Sequence, residues 1–287
     1  MTSQPPSPPS QPEQPAEAVP TCYRHPGRET WVRCQRCDRP ICPDCMRDAA
    51  VGFQCPECVA QGSQGFRQAR STFGGQVVGT PYVTWAILAV NVLVFGAQYL
   101  VPAVTGALQM WPAGVAVFGD YYRLVSAAFV HAGVFHILFN CWALYVVGPY
   151  LERAFGHVRY TALYLVSAVG GSVLSLWLDP LGQPTVGASG AIFGLFGAVF
   201  VVGRKLNMDV RGIAMLIVIN LVITFVFPGI SWTGHVGGLI TGSVLAGAMA
   251  YAPKNNRTLW QVLAIAGALA VLAVLVMART SAILSSI

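Results

Sequence analysis

The chain has 287 residues, 55% of them hydrophobic and only 10% charged. Soluble domains carry about 25% charged residues, so an integral membrane protein with a polar N-terminal extension is expected instead. The formal net charge of +6 invites a nucleic-acid partner, but membrane topology accounts for where the basic residues lie, and no nucleic-acid role is expected.

Residues 1–20 hold seven of the 19 prolines, with Ser, Gln and Glu. That composition buries no core, and a disordered tail is expected. It also lacks the early apolar stretch of a secretory signal peptide. Residues 21–60 hold seven of the eight cysteines, and residues 61–80, "QGSQGFRQARSTFGGQVVGT", read as a linker.

The cysteine-rich segment carries four pairs at two-residue spacing: Cys22 and His25, Cys34 and Cys37, Cys42 and Cys45, Cys55 and Cys58. Zn2+ takes four tetrahedral Cys/His ligands, so these eight fit two closed zinc sites. The short gap between Cys37 and Cys42 suggests interleaving, with the first pair joining the third and the second joining the fourth. Sequential pairing is the alternative. Disulfides are disfavoured on the reducing side of a membrane, where the charge pattern below puts this segment. With every position filled by protein, both zinc ions are structural and none serves catalysis. The ligand order resembles a B-box-type zinc finger, a cross-braced relative of RING domains, which implies a protein partner for the finger.

Seven apolar segments follow, near 82–101, 129–150, 158–178, 186–203, 211–228, 232–252 and 259–278. Each is about long enough to cross a ~30 Å hydrocarbon core as a helix. Cys141, alone in the second, reads as a packing residue. Basic residues alternate across the connections. The N-terminal region and the second, fourth and sixth connections hold 15 Lys/Arg, against 2 (Arg123 and Arg279) on the other side. The positive-inside rule then puts the N-terminus and finger in the cytoplasm and the C-terminus outside.

Polar residues inside spans are costly and mark function. His131, His136 and Asn140 start the second span, Ser189 the fourth and His235 the sixth. These three spans all run from outside to inside, so the residues share one depth near the external face. Ser189 and His235 suit a nucleophile and its general base. No acidic residue lies near that depth in these spans, so a Ser–His dyad is the economical reading. The Ser189 N–H, His136 and the Asn140 amide are candidate oxyanion donors, and a helix N-terminus at Ser189 favours negative charge. Gly190 with Gly194, and Gly238 with Gly242, form GxxxG pairs that let spans four and six approach closely enough for Ser189 and His235 to hydrogen-bond. Gly187 and Gly234 add space beside the pair. Each feature also has an ordinary reading: a back-bonded serine, a capping histidine, packing glycines.

Taken together, Gly187-Ala188-Ser189-Gly190, "HILFN" from His136 to Asn140 and "GHVGGLITG" around His235 resemble the rhomboid family of intramembrane serine proteases, over roughly residues 80–253. The resemblance implies an all-α polytopic membrane protein with a six-helix core. The seventh span, in residues 254–287, is an addition to a core at 81–253. It implies a serine endopeptidase that cleaves peptide bonds in or near transmembrane segments of membrane proteins, with Ser189 as nucleophile and His235 as base. Phe193 stands where the family often has a tyrosine stacked on the catalytic histidine. Tyr122-Arg123 resembles a Trp-Arg pair in the first external loop, His131 matches a structural histidine, and Glu152 and Gly156 resemble the cytoplasmic turn after span two. The rival readings are a non-catalytic rhomboid-like protein that binds membrane clients and a zinc-finger scaffold on a passive anchor.

Overall fold

The computed structural model describes residues 18–64, 69–227 and 229–286. The expected Pro-rich tail lies, up to residue 17, outside the described residues, as do linker residues 65–68. The chain divides into two compact units, residues 1–68 and 69–287.

The first unit contains two short antiparallel ribbons, β1 (Thr21–Cys22) with β2 (His25–Glu29), and β3 (Arg47–Asp48) with β4 (Phe53–Gln54). A 3-10 turn at Pro43–Cys45 lies between them, and α1 (Pro56–Gln64) follows. Its described buried apolar residues are Ile41 and six cysteines: Cys22, Cys34, Cys42, Cys45, Cys55 and Cys58. A segment this short cannot stabilise itself with an apolar core alone, and here cysteine side chains fill most of the interior.

The second unit is helical: α2 (Tyr82–Leu100), α3 (Ala103–Leu108), α4 (Pro112–Ala116), α5 (Arg123–Ser126), α6 (Val134–Phe155), α7 (His157–Leu178), α8 (Ser189–Lys205), α9 (Arg211–Val226), α10 (Trp232–Ala250) and α11 (Arg257–Leu284). Long helices fall on all seven apolar segments. By length and composition α2, α6, α7 and α11 can cross a membrane. The 17 residues of α8 and 16 of α9 are shorter, and α10 is diluted by glycine, threonine and histidine.

Helix starts differ from the apolar boundaries for local reasons. The second segment begins as a 3-10 turn at Ala127–Phe129, and extended backbone at Gly133 delays α6 to Val134. In the fourth, Gly187 at φ +129° lies outside helical space, so α8 starts at Ser189. The last helix runs past its apolar run to Leu284. Arg279 permits this by donating to the Leu176 carbonyl (3.3 Å) and lying over Trp177.

Helix α10 packs most extensively, against α8 and α7. Glycine makes this possible. A Cβ on Gly238 would fall inside the Gly190 backbone, and one on Gly242 inside Gly194. On the other side, a Cβ on Gly237 would meet the Gly170 carbonyl at 2.6 Å. At the opposite end of α6, fully buried Glu152 accepts from the N–H groups of Val83 (3.0 Å) and Thr84 (2.8 Å) and from the Thr84 hydroxyl (2.6 Å). A carboxylate there offsets the positive N-terminus of α2. His157 Nδ1 also lies 2.6 Å from Glu152. Gly156, at φ +82°, turns the chain into α7.

Candidate active site

Ser189 is the first residue of α8, so its N–H is among those left without an intrahelical partner. It is half-buried and lines a cleft with Ser172, Ser175, Gly187, Ser231 and Gly234. Gly187 explains the space beside it. A Cβ there would meet His136 Nε2 at 2.8 Å and Ser189 Oγ at 3.3 Å. Both atoms therefore face the volume that the glycine leaves open. The Ala132 N–H donates to His136 Nδ1 at 3.2 Å. With its lone pair engaged at Nδ1, the neutral ring carries its proton on Nε2, the nitrogen beside Gly187.

His235 lies in the first turn of α10 and is buried. Ser231 caps this helix, its hydroxyl accepting from the Gly234 N–H at 3.1 Å. Phe193, one turn along α8, stacks on the imidazole, with centroids 4.2 Å apart and planes 15° from parallel. The helices carrying Ser189 and His235 meet backbone to backbone: a Cβ on Gly190 would meet the Gly234 carbonyl at 3.0 Å. The expected Ser189–His235 hydrogen bond is nevertheless not made among the described residues. Ser189 Oγ lies beside Gly187, 3.3 Å from where a Cβ on that glycine would stand.

A family model described as "Rhomboid domain" matches residues 119–252. "Putative rhomboid protease YdcA" of Bacillus subtilis (strain 168) is 32% identical over 136 residues, which are 45% of this chain and 67% of that relative. The chain belongs to the rhomboid family. "Rhomboid protease GluP" of the same bacterium is 34% identical over 181 residues, 60% of this chain and 35% of the relative. "Rhomboid protease AarA" of Providencia stuartii is 28% identical over 172 residues, 50% of this chain and 61% of the relative. The chain thus spans about a third of the first of these two and less than two thirds of the second.

In this rhomboid chain the remaining expected residues have distinct placements. Arg123 is buried and ties the first connection together. It pairs with Asp120 at 2.8 Å and donates to the carbonyls of Gly106 (2.8 Å) and Gln109 (3.0 Å). His131 is buried edge-on to His136, its ring nitrogens without partners, while Gln98 bonds its backbone from both sides. Asn140 is buried, and its amide donates at 2.8 Å to the His136 carbonyl on its own helix. No hydrogen bond brings it to Ser189.

Several side chains at the rhomboid site escaped the sequence reading: Ser172, Ser175 and Ser231 of the cleft, and Thr224. Thr224 of α9 places its hydroxyl 2.7 Å from His235 Nδ1. A lone threonine in an apolar run carries no spacing signal, and only the packing of α9 against α10 discloses it. The pair Gly170-Gly171 on α7, which admits α10, was missed for the same reason.

In the separate N-terminal unit, two clusters form: Cys22, His25, Cys42 and Cys45, and Cys34, Cys37, Cys55 and Cys58. Within each, the ligand atoms lie within 4.8 Å of one another. This is the interleaved grouping. Burial pushes the Cys22 thiol up, but backbone N–H groups of Cys42 and Arg24 outweigh it and hold it at about 6. Burial and the Cys22 and Cys42 sulfurs push Cys45 up to about 11. Thiols this close cannot all ionise without a cation among them, so the donor sets fit a metal ion that binds thiolate.

Proposed function

We propose that the chain is an intramembrane serine endopeptidase acting on transmembrane protein substrates. The observation that carries this is the glycine-backbone contact between α8 and α10, which sets Ser189 at a helix N-terminus beside the helix of His235. His235 Nε2 takes the proton of Ser189 Oγ as Oγ attacks the scissile carbonyl carbon. The carbonyl π electrons move to oxygen. That oxyanion sits over Gly187, within reach of the Ser189 N–H and His136 Nε2–H, and the second N–H of Asn140 is a further donor. His235 then gives its proton to the departing amine, and the peptide C–N bond breaks. Water entering by the serine-lined cleft attacks the acyl-serine, with His235 taking its proton and returning it to Ser189 Oγ as the ester C–O bond breaks and the carboxylic acid leaves. Irregular backbone at Gly187 is tolerated at this depth because it borders a polar cleft.

The same reading puts the finger in the cytoplasm, the C-terminus outside and the cleft toward the external face. It makes residues 81–253 the protease core and residues 254–287 an added span. The two clusters of the finger each hold one structural zinc ion, and the finger binds a protein partner. Neither ion takes part in peptide hydrolysis.

The test is cleavage of a transmembrane reporter by purified, reconstituted protein. Wild type cleaves, while Ser189→Ala and His235→Ala do not, with folding retained. Equal cleavage by wild type and Ser189→Ala removes Ser189 as nucleophile, whereas binding of the reporter without cleavage by either favours the client-binding reading.

A further inference from the structure

We propose that Thr224 is a positioning residue that holds His235 in the one tautomer and ring orientation a general base requires. This rests on the reading of His235 as the base.

The hydroxyl of Thr224 has a single proton. It donates that proton to the Asn220 carbonyl, one turn back along α9, at 2.7 Å. Toward His235 Nδ1, also at 2.7 Å, the same oxygen can therefore only accept. Nδ1 must then be the protonated nitrogen, and Nε2 is left with its lone pair. A base that takes a serine proton through Nε2 needs this form. The opposite tautomer would carry a proton on Nε2 and could not accept another.

Phe193 restrains the plane of the imidazole by stacking on one face, but a stacked ring can still flip within its plane. Thr224 removes that freedom, because a flip would replace an N–H donor by a C–H opposite the hydroxyl oxygen. Two neighbours thus divide the work, one fixing the plane and the other the edge. Among the described residues no carboxylate hydrogen-bonds to His235. A neutral hydroxyl selects the tautomer without placing an ionised group in the membrane, where such a group is costly.

The surroundings of Thr224 point the same way. It is the one buried residue of α9. The rest of that helix shows exposed apolar side chains, including Val218, Val222, Phe225 and Val226. Back-bonding to Asn220 is common for threonine in membrane helices and needs no partner outside α9. The burial and the contact with His235 are what that ordinary role leaves unexplained. The consequence is that the chemical state of the base depends on α9 being seated against α10.

The test compares Thr224→Val, which keeps the shape and loses the hydroxyl, with Thr224→Ser, which keeps the hydroxyl, in the reconstituted full chain. Ser189→Ala and His235→Ala are run alongside. For Thr224→Val, kcat falls at least about tenfold while KM stays within about twofold, and Thr224→Ser stays within about twofold of wild type in both. A Thr224→Val enzyme with wild-type kcat overturns the proposal, as does a Thr224→Ser enzyme as impaired as Thr224→Val. If Thr224→Val does not fold, 15N NMR of histidine-labelled wild type decides. The His235 signals, assigned by their loss in His235→Ala, show protonated Nδ1 and unprotonated Nε2. The reverse assignment overturns the proposal. Cleavage that survives in Ser189→Ala and His235→Ala defeats the catalytic reading instead, and the NMR result still judges the tautomer.

Discussion

Phe193 lies flat on His235, with ring centroids 4.2 Å apart and planes 15° from parallel. The two residues come from helices joined through glycine, so the stack depends on the α8–α10 contact rather than on neighbouring sequence. It also buries an apolar ring against the imidazole.

Replacing Phe193 by Leu keeps apolar bulk and removes the π face. Aromatic pairs add about 0.5–1.5 kcal/mol beyond burial, so kcat/KM with a transmembrane reporter falls about two- to tenfold. Phe193→Ala additionally opens a cavity in a buried position and costs about 3–5 kcal/mol of stability. Thermal unfolding separates the two: a lower Tm is expected for Ala, and a much smaller change for Leu. A Leu variant with unchanged kcat/KM rules out a role for the stack.

Gly238→Ala and Gly242→Ala place a methyl inside the backbone of α8. Overpacking costs about 1–3 kcal/mol or more, and the helices must separate, so both stability and cleavage are lost. Gly247→Ala on the same helix meets only Val201, at 3.9 Å. It is neutral, or stabilising by up to about 1 kcal/mol from better helix propensity. Equal damage at positions 238 and 247 would count against the glycine contact.

Gly187→Ala and His136→Ala attack the space over Ser189 from two sides. The first strains a backbone at φ +129° and fills the gap between Ser189 Oγ and His136 Nε2. The second removes a donor. Loss of an oxyanion donor costs about 10²–10³ in kcat, and that range is expected for His136→Ala with KM little changed. A serine-directed fluorophosphonate still labels His136→Ala, more slowly. Wild-type kcat in His136→Ala assigns the oxyanion to other donors.

Elemental analysis of the purified chain gives about two zinc ions, matching two four-ligand clusters. Cys34→Ser lowers the content toward one if each cluster binds by itself. Strong chelation unfolds the N-terminal unit, read as loss of its amide protection, since ligand clusters form most of its core. A metal-free chain that keeps this protection defeats the metal assignment.

Much of this architecture was legible because hydropathy and Cys/His spacing are local signals. The seven apolar runs located the long helices, and Cys/His spacing anticipated the interleaved clusters. Ser189, His136 and His235 stood out because polar groups are rare in such runs. Helix starts were less legible. Phe129, Val130 and Ala132, and Val186 and Ala188, continue the hydropathy signal, while Gly133 and Gly187 break the helical backbone. Thr224 was illegible because a hydroxyl that bonds its own helix looks the same in sequence as one that also meets a histidine across a helix interface.

The glycine contact has a mechanical consequence. Where Gly190, Gly194, Gly238 and Gly242 meet, no side chain separates the two helices. Their spacing is a peptide-to-peptide distance, which rotamer changes cannot alter. The frame that carries Ser189 and His235 is therefore stiff. Relative adjustment of the two side chains there is left to their own torsions, which hop between staggered wells in picoseconds to nanoseconds. On such a frame Ser189 and His235 can shift against each other only at the pace of a bond rotation, far faster than any helix can move.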